Sequence, residues 1–331
     1  MSADPSTSRI VALEDDAAFW DDRATITACL REPIPRIPPW FGYDERGSEL
    51  FESITRLPTY YLTRVERGLL ERHAAHMAEL VGCRVAELGS GSAKKTGLLL
   101  RECAARAATT YLPVDVSREM LLSSDLALRA AIPDLTVTGL WGRYEAGLDW
   151  LGDPANRADG PLVVAFLGSN LGNTTPEERA ALLNRIAGTL RPGDGFLVSV
   201  DLLKPAADFE TCYNDPPGHS AFADFRLNHL AHLNRRFDAD FDLAGFVPRA
   251  HYNSGRTVVE GHLYATREHT VRIPGLDMTL RFRAGDSINV GFSAKFEPDH
   301  FVADLSGRGL TRQEHWIDDE QAYGLFLFRR D

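Results

Sequence analysis

Residues 86–96 read AELGSGSAKKT, a turn in which Gly89 and Gly91 stand two apart ahead of Lys94 and Lys95. Glycines at that spacing let backbone N–H groups approach a ligand closely, so nucleotide binding is the first chemistry to weigh. A triphosphate loop requires GxxxxGK[ST], and Ala93 stands where a glycine would precede the lysine. No strand-end aspartate follows to hold a magnesium ion. A dinucleotide turn requires GxGxxG, and Lys94 stands at its third glycine. Two carboxylates complete the constellation. Glu87 ends the run before the turn, and Asp115 closes YLPVDVS, where an acidic side chain accepts both hydroxyls of a ribose.

These residues need a scaffold, and the sequence supplies an alternating one. The segment RVERGLLERHAAHMAELV has helical periodicity, CRVAEL is a short apolar strand, and SAKKTGLLLRECAARA reads as a helix. TTYLPVDV and LTVTGLWG are further strands on either side of the helical SREMLLSSDLALRAAI. GPLVVAFLG is apolar throughout, as a strand buried on both faces would be. Thr175, Pro176 and Glu178 form a helix start with a capping box, RPGDG ends that helix, and FLVSVDLL is the next buried strand. The alternation predicts a doubly wound α/β sheet, with TRQEHWIDDEQAYGLFLFRR as its antiparallel edge. Residues 203–295 break the rhythm and predict a second lobe, with VVEGHLYATR and MTLRFRAG as its strands.

Composition narrows the partners. The 331 residues carry a net charge of -11 with scattered basic side chains, which argues against nucleic acid. No stretch approaches the roughly 20 apolar residues of a membrane span. The start, MSADPSTSRIVALEDDAAFWDD, is polar and acidic, unlike a signal or transit peptide, so a cytoplasmic protein is expected. Cys29, Cys83, Cys103 and Cys212 form no CxxC pair and read as structural thiols. The pairs His73/His76 and His229/His232 have helical spacing but no third ligand beside them, so no metal is expected.

The glycine turn, Asp115 and the late strand entry LRPGDGFLVSV together fit the S-adenosyl-L-methionine (SAM) turn of class I methyltransferases, with Ser90 and Lys95 in or beside the turn. The chain also resembles a more specific group. WFGYDERGSELFESITRLPTYYLTR, AELGSGSAKKT, FLGSNLGN and FSAKF are similar to segments of the histidine-specific SAM-dependent methyltransferases, from about residue 38 to the C-terminus. The resemblance implies a class I (Rossmann-like) domain over 65–202 and 296–331. An α+β substrate-binding domain would then span 21–64 and 203–295.

The same resemblance implies N-methylation of the α-amino group of an amino acid or amino-acid-like biosynthetic intermediate. Asn173 and Tyr213 would clamp the substrate carboxylate, with Tyr60 lining the site. The Gly168 carbonyl would receive the amine, and Tyr43 and Ser293 would lie nearer the side chain, with Tyr43, a bound water or bulk solvent as the acceptor of the proton. Three positions depart from the family pattern. Gly291 replaces an acidic residue that recognises imidazole, and Gly261 replaces a methionine. Histidine is therefore not the expected substrate; an indole or bulkier amino acid fits the vacated room. Arg143 stands where relatives carry an aspartate for the adenine amine, although Tyr144 keeps an aromatic beside the ring. An arginine accepts no hydrogen bond, so a second reading is SAM-independent displacement or ring closure on such a substrate, with or without a partner subunit.

Overall fold

A computed structural model describes residues 9–14 and 21–331. The chain enters through β1 (Arg9–Ala12), a strand too short to be read from its pattern. Helices α1 (Arg23–Leu30), α2 (Glu45–Ile54) and α3 (Leu62–Val81) follow. Then the expected alternation runs through β2 (Arg84–Leu88), α4 (Thr96–Ala104), β3 (Thr109–Asp115), α5 (Arg118–Ala131) and β4 (Leu135–Trp141). It continues with α6 (Tyr144–Gly152), β5 (Val163–Phe166), α7 (Pro176–Thr189) and β6 (Gly195–Asp201). The capping box foreseen at Thr175 and Glu178 is present at the start of α7. The acidic start, read as neither signal nor transit peptide, falls largely on residues 1–8 and 15–20, outside the described residues.

After β6 come α8 (Ala206–Cys212), α9 (Ala221–Phe237), β7 (Phe246–Asn253), β8 (Val258–Ala265), β9 (His269–Ile273), β10 (Met278–Phe282) and β11 (Ser287–Ala294). The chain closes with α10 (Pro298–Ser306), β12 (Leu310–Asp318) and β13 (Tyr323–Arg330). The main sheet has the order β1-β4-β3-β2-β5-β6-β13-β12. Its pairings are parallel up to β6, and β13 enters antiparallel beside it. The direction in which successive strands are added reverses between the parallel neighbours β2 and β5, which opens a crevice at their carboxyl ends.

Alternation along each strand sends side chains to both faces. Val85, Tyr111 and Val163 pack with Leu69, Leu70 and Met77 of α3, while Ala86, Leu112 and Val164 pack with Leu148 of α6 and Ile186 of α7. The second lobe has its own core, with Ile26 and Leu30 of α1 and Leu230 and Leu233 of α9 against Leu263 and Ile288. Its sheets are β11-β8-β7 and β10-β9. The backbone ties the two parts where β6 ends: Phe296 N–H donates to the Asp201 carbonyl at 3.0 Å, and Leu203 N–H to that of Phe296 at 2.9 Å. No described helix is long and apolar enough to cross a membrane. All four cysteines are free, and burial pushes the Cys103 and Cys212 thiols up to about 12.

Candidate active site

The glycine turn lies in the crevice at the end of β2. Gly89 and Gly91 have φ of 68° and 50°, a region that side chains rarely adopt, and Gly89 N–H donates to the Val114 carbonyl at 2.8 Å. A Cβ on Gly89 would lie 2.7 Å from the Tyr144 hydroxyl, whereas one on Gly91 would meet nothing within 4 Å. Ser90 is buried in the same turn. Asp115 faces it, accepting from Gly91 N–H at 2.8 Å and Ser117 N–H at 2.9 Å. Each carboxylate oxygen keeps a lone pair for a ribose hydroxyl. Burial raises the Asp115 pKa, and the two N–H donors partly offset that rise. Open space beside Gly91 and an anchored carboxylate opposite are what a nucleoside cofactor such as SAM requires, so these residues fit the group.

Two residues expected at the cofactor also have partners within the protein. Glu87 is buried and accepts from Thr96 Oγ1 at 2.7 Å and from the Tyr111 hydroxyl. Lys95 pairs with Glu66, a carboxylate of α3 that is 0 % exposed. Glu66 also accepts from Gly168 N–H at 2.6 Å and the Tyr323 hydroxyl at 3.1 Å, so it links both walls of the crevice. Burial pushes Glu66 up, but the Lys95 charge and hydrogen bonds bring it below the usual carboxylate range. Glu66 is legible only as a charge within the apolar stripe of its helix. Arg143 is also engaged, donating to Asp22 Oδ1 and lying over the Trp40 ring at 5.8 Å.

Glu87 carries a pH prediction. Burial pushes it from 4.5 to about 7, against the lowering effect of its hydroxyl donors. Between those values the native state holds a proton that the unfolded chain has released, so stability falls as pH rises through that window. Glu87→Gln removes this titration. Calorimetric melting should show the variant gaining on the parent between about pH 5 and about pH 7.5; a constant difference would mean that Glu87 is ionised throughout.

On the other wall, Gly168 has φ of 80° and its carbonyl accepts no hydrogen bond among the described residues. Asn173 Nδ2 lies 3.4 Å from Asn170 Oδ1. Tyr213 and Ser293, assigned to opposite ends of the substrate, meet at 2.7 Å between their hydroxyls. Both accept from Lys295, at 2.8 and 2.9 Å, and Lys295 pairs with Asp201 at 2.6 Å. Asp201 also binds Lys204 at 2.8 Å and the Tyr61 hydroxyl. Two ammonium groups thus face one carboxylate. One hydroxyl proton is used between Tyr213 and Ser293, which leaves one for an outside acceptor. Asp201 and Lys295 stand in the quoted stretches FLVSVDLL and FSAKF, yet nothing in either stretch shows that the fold pairs them.

Aromatic rings close the space. Tyr43 packs on Phe51 at 5.4 Å and Phe225 at 5.1 Å, and Tyr60 on Tyr213 at 6.2 Å and Phe222 at 5.8 Å. Tyr43 is near enough to Tyr144, Tyr60 and Tyr213 to contribute to their upward shifts. Desolvation among these rings pushes the Tyr43 phenol up, although the residue keeps 36 % exposure. Gly261 and Gly291 pair directly across β8 and β11. Space at Gly291 is open, but a Cβ on Gly261 would lie 3.2 Å from Arg226 Nε. The room expected at Gly261 is thus shared with Arg226 of α9, whereas that at Gly291 is open. A cluster with metal-ligand donors, His251, Glu260 and His262, lies elsewhere, and Arg256 pairs with its Glu260 at 3.0 Å.

Comparisons with known proteins agree with this geometry. Residues 22–330 match the model of the family described as histidine-specific, SAM-dependent methyltransferases. A histidine N-alpha-methyltransferase of Mycobacterium tuberculosis is 36% identical over 95% of this chain and 97% of its own. The protein of the same name from Mycolicibacterium smegmatis is 37% identical over 93% of each chain. An L-tryptophan methyltransferase of Psilocybe serbica is 27% identical over 92% of each.

Proposed function

Because the chain belongs to the histidine-specific, SAM-dependent methyltransferase family, we propose that it methylates the α-amino nitrogen of a free amino acid. The relatives named above act, by name, on histidine or tryptophan, which supports the substrate class. In this reading residues 65–202 and 296–331 hold the cofactor, and residues 21–64 and 203–295 supply the substrate side.

The observation that carries it is the cationic network of Tyr213, Ser293, Lys295, Lys204 and Asp201 at the end of β6, in the same sheet as the glycine turn at the end of β2. SAM, held by Gly89, Ser90, Gly91 and Asp115 with Tyr144 beside them, supplies an activated methyl group. The network and Asn173 hold the substrate carboxylate. The free carbonyl of Gly168 accepts an N–H of the amine and so turns the nitrogen lone pair away from itself. The ammonium of the free amino acid gives one proton to bulk solvent before transfer, and Tyr60 and Tyr43 wall in the neutral amine that results. Most of the rate then comes from positioning, which can lower the barrier by several kcal/mol.

Histidine lies outside this proposal because Gly261 and Gly291 themselves offer no side chain to hydrogen-bond an imidazole. Glu260 is adjacent in sequence but points to the other face of β8, where it binds Arg256 and His251. Methyl transfer from SAM to a panel of amino acids, read by mass spectrometry, tests the reading. Asn173→Ala should raise KM for the amino acid about 10- to 100-fold and leave SAM affinity within about twofold. Equal losses of both affinities would mean that the substrate side is misplaced.

A further inference from the structure

Two arginines are buried among the described residues, Arg36 and Arg226. Arg36 faces Glu32 and Glu178. Arg226, 6 % exposed, faces no carboxylate at ion-pair distance. One of its N–H groups donates to the Tyr213 carbonyl, and its guanidinium lies over the Phe222 ring at 4.9 Å. The acidic group it feels is Asp215, whose oxygens are taken by Phe222 and Ala223 N–H groups at 2.8 Å each. Helical side chains lean toward the N-terminus of their helix, and this one reaches over Gly261 toward the end of α9 that carries Phe222 and Tyr60's ring contact.

A largely buried guanidinium given no counter-ion is costly, and burial already holds its pKa down at about 10, while Nε and one terminal nitrogen of Arg226 stay unbonded but not sealed from the space beside them. A fold keeps such a charge where a ligand completes it. The two glycines clear the sheet side of that position, and nothing lies within 4 Å of a Cβ on Gly291. We propose that the amino acid methylated here carries an anionic side chain, and that Arg226 is the counter-ion that selects it. The proposal rests on the α-amino methyltransferase reading and names the side chain which that reading leaves open. Arginine suits this role because its planar fork binds a carboxylate through two parallel hydrogen bonds.

The test is calorimetric titration of the protein saturated with S-adenosylhomocysteine, using L-aspartate, L-glutamate and L-2-aminoadipate against L-asparagine and L-glutamine. At least one acid should bind about 30-fold more tightly than the amides. Arg226→Met should erase that preference while L-glutamine binding stays within about threefold, and Arg226→Lys should restore part of it. Thermal melting of each variant shows that it is folded. Amides binding as tightly as acids, or an unchanged preference in Arg226→Met, would overturn the proposal and leave amino-acid methylation standing. Failure of every amino acid to bind would remove both.

Discussion

Asp115→Ala is expected to weaken SAM binding about 1000-fold, the largest loss of any single change at the turn. Two charge-assisted hydrogen bonds to the ribose disappear, each worth about 1.5–3 kcal/mol. The Gly91 and Ser117 N–H groups, now at 2.8 and 2.9 Å from the carboxylate, also lose the acceptor that sets their direction. Asp115→Asn keeps the shape but turns an NH2 group toward one of those donors, so it should recover about one of the three tenfold steps at most. Titration calorimetry with SAM and S-adenosylhomocysteine measures both. Burial raises the parent carboxyl, so affinity should decline on acidification earlier than for an ordinary aspartate. Retention of affinity within about threefold in Asp115→Ala would show that the ribose lies elsewhere.

The residues of that prediction are legible because local chemistry dictates them. Gly89 and Gly91 need φ values that other residues avoid, and Asp115 ends a strand whose apolar run is visible in YLPVDVS. The sheet is legible for the same reason, since buried parallel strands are written as continuous apolar runs. Arg9–Ala12 was not foreseen, because four residues beside β4 carry no pattern distinguishable from a loop. The polar interior was equally hidden. Glu66 reaches Lys95, Gly168 and Tyr323 across 29, 102 and 257 residues of chain, and only the closed sheet brings those four together. Arg226 shows the limit from the other side. Reading Gly261 as empty space assumed that nothing on another element would enter it, and α9 does.

Lys295→Met is expected to raise KM for the amino acid about 100-fold while SAM affinity changes by less than about twofold. The Lys295 side chain is 0 % exposed, and its ammonium meets three acceptors at 2.6–2.9 Å. Methionine fills the same volume without charge. Asp201 keeps Lys204 and Tyr61, so the fold retains a partnered carboxylate and the network goes from formally cationic to neutral. A purely structural lysine would lower the melting temperature and the amount of active enzyme, and KM would stay where it was. A second readout separates the two roles more sharply. The parent should prefer an amino acid to its uncharged primary amide by about two orders of magnitude, because the surplus positive charge faces the carboxylate. In Lys295→Met that preference should largely vanish, since the carboxylate then meets neutral hydroxyls that serve an amide nearly as well. Persistence of the full preference would show that the positive charge gripping the substrate comes from a residue other than Lys295.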